Sequence, residues 1–232
     1  MVLQRPHTFV VFATSADGKV ADAYRNPPTF GSKADYRHLE RRVAAADGVI
    51  FGAGTLRSGG TAMRVMDKTL IAQRVAQGKP AQPVQIVCTR SGNLDRELRF
   101  FSQPIPRWLL STCQGAAQWQ QGADFDQVLA FEREAADSEI DWPRFFAHCL
   151  DQGLETLAVL GGGALVAALL AEGFLDEFWL TLCPVLIGGK DAPTPVDGAG
   201  FSQEEAPLLD LIEVDRMGDE LILHYRVGRS AA

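Results

Sequence analysis

The chain has 232 residues, 47% hydrophobic and 22% charged, and its 22 Lys and Arg against 29 Asp and Glu give a net charge of −7. It is long enough to bury a core without disulfides or a structural metal, too apolar to be wholly disordered, and too acidic to bind nucleic acid through a broad basic face. The most apolar stretch, 156–171, is interrupted by Gly161-Gly162-Gly163 and ends at Glu172-Gly173, short of a membrane span.

The N-terminus carries no signal-peptide pattern. The four cysteines, Cys88, Cys113, Cys149 and Cys183, are too far apart for a C-x-x-C motif. They are expected to be buried free thiols, and the cytoplasm is the expected compartment.

In chain order, His7 to Ala13 is β-branched and aromatic and predicts a buried strand. Ser15-Ala16-Asp17-Gly18 predicts a turn, with a short strand from Lys19 to Ala21. Pro27-Pro28 marks 24–31 as loop. Ser32 is placed to cap a helix running to about Ala46, with Asp35 in its first turn. Gly48 to Gly52 is a strand, followed by a glycine turn into a short helix or loop at Gly54-Thr55. Residues 77–83 are loop; Val84 to Cys88, Arg107 to Leu110 and Val128 to Phe131 are strands. Asp141 caps a helix through Leu150, with Pro143 tolerated in its first turn. Thr156 to Leu160 is a strand, 164–171 a helix, and Glu177 to Cys183 a strand. Leu211 to Val214 and Leu221 to Val227 form a closing antiparallel pair. The stretch 112–140 has too weak a pattern to place.

Alternating strands and helices give an α/β class with a mixed, mostly parallel central sheet flanked by helices. No linker or repeat divides the chain, so residues 1–232 are expected to form a single domain.

Three places suggest chemistry. Strand, triple glycine and helix meet at LAVL-GGG-ALVAALLAEG, where unpaired helix N–H groups and absent Cβ atoms suit a pyrophosphate. The alternative is a tight turn with no ligand. GVIFGAGTL repeats the arrangement, with Thr55 able to cap the helix or meet a phosphate. Thr89-Arg90-Ser91 ends a strand with a guanidinium between two hydroxyls, which suits the 2′-phosphate of NADP; the alternative is a solvated arginine. His38-Leu39-Glu40 has the form of a zinc deaminase motif but lacks its cysteine pair, and no histidine spacing suggests a metal site.

Ser15-Ala16-Asp17-Gly18-Lys19-Val20-Ala21, DGVIFGAGT (47–55) and the long segment LGGGALVAALLAEGFLDEFWLTLCPVLIGGKDAPTPVDGAGF (160–201) together resemble the pyrimidine reductases of riboflavin biosynthesis, the RibD C-terminal domain type. The resemblance runs from about Pro6 to Val227. It implies the dihydrofolate reductase-like fold, NADPH as cofactor, a homodimer, and reduction of the ribosyl group of 5-amino-6-(5-phosphoribosylamino)uracil, or its diamino precursor, to ribityl. It implies cofactor contacts from Ala13, Thr14, Gly54, Thr55, Leu56, Thr89, Arg90, Gly161, Gly162, Gly163, Ala164, Leu165 and Val166. The deaminase domain that often precedes this reductase is not in the sequence, so a stand-alone reductase is expected.

The substrate side departs from the pattern. Leu160 stands where the family has an acidic residue, and Val11 where it has a lysine. Lys33, Arg57 and Arg64 are the candidate replacements for the substrate phosphate. Asp17 is the only candidate acid near the expected nicotinamide, against the alternative of an Asx-type turn. The competing functions are a reductase of the same fold acting on a pterin or another substrate, and a non-catalytic nucleotide-binding protein.

Overall fold

A computed structural model describes residues 4–134 and 139–228. In chain order the elements are β1 (His7–Ser15), α1 (Lys33–Ala45), β2 (Gly48–Gly52), α2 (Ala53–Gly59), α3 (Lys68–Ala76), β3 (Val84–Thr89), a 3-10 turn (Arg99–Ser102), β4 (Arg107–Ser111), α4 (Cys113–Ala117), β5 (Gln127–Ala130), α5 (Trp142–Asp151), β6 (Thr156–Val159), α6 (Gly163–Ala171), β7 (Glu177–Cys183), β8 (Leu209–Met217) and β9 (Glu220–Val227). The class is the expected one: α/β, with parallel strands, an antiparallel pair at the end, and helices.

Contacts divide the chain into two compact units. The first takes residues 40–158 and the N-terminal residues up to His7. Its strands run in the order β5-β4-β3-β2-β6, and β2 to β5 pair in parallel. Val49, Ile50, Ile86, Val87, Leu109, Leu110 and Leu157 fill its core with almost no exposure. Continuous apolar runs such as these suit strands covered on both faces.

The second unit takes 8–39 and 159 onward. Its strands run β1-β7-β9-β8; β1 and β7 are parallel, and the last two joins are antiparallel. Paired residues on neighbouring strands share a face, so Ala13 and Thr181 project to the same side. β8 lies at the edge, and Leu209, Leu211, Ile212 and Val214 on it are exposed.

Local chemistry explains most boundaries. Ser32 caps α1, its Oγ accepting from the N–H groups of Ala34 at 3.1 Å and Asp35 at 3.2 Å. Asp141 caps α5 through the Arg144 N–H at 3.0 Å.

The predicted strand from Lys19 to Ala21 does not form. The Lys19 N–H bonds to Ser15 Oγ at 2.9 Å and the Val20 N–H to the Pro193 carbonyl at 2.9 Å, so a turn and a loop take the groups a ladder would need. α3 is an addition: Asp67 caps it through the N–H groups of Thr69 and Leu70. All four cysteines are free. Cys149 and Cys183 are buried and Cys88 partly so, but Cys113 is exposed, because α4 turns Gly115 and Ala116 inward instead.

Candidate active site

In the second unit, the ends of β1 and β7 lie side by side, Thr14 opposite Leu182 and Ser15 opposite Cys183. Ligands of parallel α/β sheets gather at such carboxyl ends. Thr14 is 1% exposed, and its Oγ1 has no hydrogen-bond partner among the described residues. A buried hydroxyl left unpaired is costly, and a ligand that bonds to it removes the penalty.

The triple glycine leads into α6 as expected. Gly162 is the N-cap and offers no side-chain bond to the helix N–H groups. Gly161 has φ +93°, and a Cβ there would lie 2.7 Å from the Phe12 ring. A Cβ on Gly163 would strike the Thr194 carbonyl. The chain's own packing therefore demands these two glycines, independently of any ligand. Ala164 is exposed at the helix start, whereas the side chains of Leu165 and Val166 are buried.

Asp17 sits in the turn after β1. Its carboxylate accepts from Ser15 Oγ at 2.7 Å, the Ile187 N–H at 3.0 Å and the Gly188 N–H at 2.7 Å. The Ile187 amide foremost, then Ser15 and Gly188, bring its pKa down to about 2. Such a group is an anion near neutral pH, tying the segment 185–188 to the turn, and has no proton to donate. Lys33 opens α1 on the wall of a groove of about 550 Å³ that also has Ser32, Met217, Asp219 and Glu220 in its lining. Val11 is buried, and Leu160 is half-buried.

In the first unit, β2 and β3 end together, Gly52 opposite Cys88. Gly54 is exposed, with open space around any added Cβ; Thr55 is half-buried beside it, and the Leu56 side chain is wholly buried. Thr89 is buried and Arg90 exposed. The backbone of this loop is pinned from several sides. Ser111 Oγ donates to the Thr89 carbonyl at 2.7 Å and Thr112 Oγ1 to the Arg90 carbonyl at 2.7 Å. Gln118 Nε2 donates to the Ser91 carbonyl and Trp119 Nε1 to the Gly92 carbonyl, each at 2.7 Å. The start of the weakly patterned stretch 112–140 thus has a structural role. α4 and the residues beside it fix the loop while leaving the Arg90 side chain in solvent. Arg57 Nη1 reaches the Asn93 carbonyl of the same loop at 3.3 Å. Arg64 is half-buried in a segment held by Gln82 and Gln85.

The donors of each unit fit part of a dinucleotide phosphate. The second unit has an unpartnered buried hydroxyl at Thr14 and, at α6, a helix start without a side-chain cap. The first has an exposed guanidinium on a fixed loop at Arg90.

Sequence reasoning missed one cluster. Asp35 on α1 is half-buried and accepts from the Thr181 hydroxyl of β7. Glu220, 4% exposed, accepts from the Ser32 N–H at 2.7 Å and Ser32 Oγ at 2.5 Å, and stands close enough to Asp35 to repel it. Burial first, and then Glu220, push the Asp35 carboxyl above its ordinary range. Asp35 is visible in the sequence only as a first-turn acid; its partner from β9 lies 185 positions away.

The chain is similar to known proteins along its length. It is 26% identical over 227 residues to the 2,5-diamino-6-ribosylamino-4(3H)-pyrimidinone 5′-phosphate reductase of Archaeoglobus fulgidus, covering 97% of this chain and 100% of that protein. It is 30% identical over 213 residues to the chloroplastic riboflavin biosynthesis protein PYRR of Zea mays, covering 90% of this chain and 31% of that one. Among solved structures, a pyrimidine reductase-like protein of Corynebacterium diphtheriae superposes with a TM-score of 0.80 at 19% identity, over 97% of this chain and 92% of that one. Acinetobacter baumannii RibD superposes at 0.77 with 17% identity, over 97% of this chain and 59% of that one. The model of the RibD C-terminal domain matches residues 6–223, through both glycine turns and the Asp17 turn, and the chain belongs to that family.

Proposed function

We propose that this chain is an NADPH-dependent oxidoreductase of riboflavin biosynthesis that reduces the ribosyl group of a phosphorylated pyrimidine to ribityl. The observation that carries the reading is the end-to-end correspondence with relatives of similar length named for that reduction. Those relatives are named for 2,5-diamino-6-ribosylamino-4(3H)-pyrimidinone 5′-phosphate, which favours it over 5-amino-6-(5-phosphoribosylamino)uracil as substrate. The family match runs through both units, which supports a single reductase domain.

Bound NADPH would supply the hydride. Ala13 and Thr14, Gly161 through Val166, Gly54 to Leu56, and Thr89 with Arg90 are the residues assigned to hold it, Arg90 taking the 2′-phosphate. Lys33, Arg57 and Arg64 remain the assigned contacts of the substrate phosphate. Positioning and exclusion of water carry most of such a reaction. The exposed apolar residues of β8 support a second copy of the chain as partner, since an open apolar edge favours pairing. The biosynthetic role and the absence, among the described residues, of a helix able to cross a membrane support a cytoplasmic enzyme.

A second reading, a reductase of the same fold acting on a pterin or another ring, draws on Val11 and Leu160, which put apolar groups where the family has a lysine and an acid. The test is oxidation of NADPH by purified protein with the diamino compound, its deaminated uracil counterpart, and dihydropterin. A ribityl product from either pyrimidine supports the main reading. Oxidation with the pterin alone transfers support to the second. Binding of NADPH with no turnover on any of the three points to a non-catalytic protein.

A further inference from the structure

We propose that Asp35, positioned by Thr181 and Glu220, is the proton donor of the reduction. The proposal rests on the pyrimidine reductase reading above. Thr181 pairs with Ala13, one of the residues assigned to NADPH, and the two project to one face of the sheet. Its hydroxyl, buried at 1% exposure, donates to Asp35 from that face. Glu220, locked by two bonds from Ser32, lies near enough to Asp35 to act on its charge. Burial and the neighbouring Glu220 carboxylate both raise the Asp35 pKa, which favours its protonated, proton-donating form. Thr181 orients the Asp35 carboxyl two residues before the end of β7, and Ala34, its chain neighbour, together with Ser32 and Glu220 lines a groove with room for a polar ligand.

The other charged or titratable groups near the cluster are Cys183, whose Sγ lies 3.7 Å from Glu220, Lys33 and Asp219 on the groove wall, and His38 one turn along α1, packed on Trp179. Asp17, the acid expected from the sequence, is spent on backbone amides.

The reduction needs one proton. The C1′–O4′ bond of the ribosylamine breaks as the lone pair of the attached nitrogen forms a C=N bond. O4′ takes the proton of Asp35 and becomes the 4′-hydroxyl. Hydride addition at C1′ returns the C=N electron pair to nitrogen and completes the ribityl chain. Asp35 is left as a carboxylate, to be reprotonated from solvent. One hydride and one proton are consumed, and the charges balance.

The experiment measures kcat/KM against pH with the diamino pyrimidine for the wild type, Asp35→Asn, Thr181→Val and Glu220→Gln, alongside NADPH titration by fluorescence and thermal melts. Asp35→Asn should lower kcat by about 100-fold or more while NADPH affinity stays within about threefold. A rate that needs the protonated carboxyl falls as pH rises through its pKa. Thr181→Val removes a bond that favours the anion, so that limb should move to higher pH. Glu220→Gln removes the repelling charge, so it should move to lower pH. Shifts in opposite directions are not produced by general loosening of the fold. Folded Asp35→Asn with wild-type kcat, or limbs that do not move, overturns the assignment while leaving the pyrimidine reading intact. Wild-type protein that binds NADPH but does not reduce the pyrimidine overturns the reading itself, and this donor role with it.

Discussion

Replacing Arg90 by Ala is expected to separate the two nicotinamide cofactors. The loop around Arg90 is fixed through its carbonyls by Ser111, Thr112, Gln118 and Trp119, none of which depends on the guanidinium. The variant should therefore keep the loop and lose only the charge. A hydrogen bond to a charged group contributes about 1.5–3 kcal/mol, and an exposed guanidinium belongs in the lower half of that range. A loss of about 1.5–2 kcal/mol is about 10- to 30-fold in Kd for NADPH. NADH, without the 2′-phosphate, should change by less than about twofold on the same reasoning. The assay is equilibrium titration by nicotinamide fluorescence at low and high salt. The NADPH-specific loss should shrink at an ionic strength near 1 M, where the Debye length is about 3 Å. Equal losses for both cofactors, or a loss indifferent to salt, would refute the assignment.

Other substitutions test the remaining links. Arg74 is 1% exposed and donates to the carbonyls of Pro80, Ala44 and Ala46, so Arg74→Met should cost about 3 kcal/mol and lower Tm by about 6–12 °C in a calorimetric scan, a drop under about 2 °C being incompatible with the account. Asp17 has a pKa of about 2 against its ordinary 3.8, so its contribution to stability is complete above about pH 4 and fades as pH falls through 2; melts of Asp17→Asn between pH 2 and 5 should lack that part of the wild-type slope. Val214→Lys on the exposed edge of β8 should yield monomers by sedimentation if a second copy pairs there, while leaving helix content by circular dichroism unchanged. Cys113 is the exposed thiol, its pKa raised by its bond to Glu132, whereas burial foremost pushes Cys88 and Cys183 up to about 12, so a disulfide reagent should label Cys113 ahead of the others in native protein and the others after unfolding.

Elements with a strong local signal are legible in the sequence. β1 and β7 are continuous apolar runs, and α1 and α5 carry Ser32 and Asp141 at their starts. α3 escapes because its face is inverted: Arg74 is buried while Val75 is 58% exposed, against any apolar-inside pattern. α4 has five residues, too few to show a period. The Lys19–Ala21 stretch reads as a strand by composition, but a serine hydroxyl and a proline carbonyl take its amides. At the site, glycines and Arg90 can be found because their chemistry is local. Asp35 cannot, since its meaning depends on Thr181 and Glu220, partners supplied by distant strands.

The division of the chain also bears on how it is made. Residues 40–158 form one unit from mostly neighbouring segments, whereas the second unit must bring 8–39 to residues beyond 159. The pairing of Phe9 with Glu177 closes a loop of 168 residues, an entropic cost that grows only slowly with length but delays the search. On the ribosome, β1 emerges early and has no β7 to pair with until more than 160 further residues have been added. Through that interval the edge of its apolar strand that pairs with β7 has no partner. The first unit can collapse in that time, so synthesis itself favours an order of folding, and the strand that carries Ala13 and Thr14 is the one left waiting for β7 to be made.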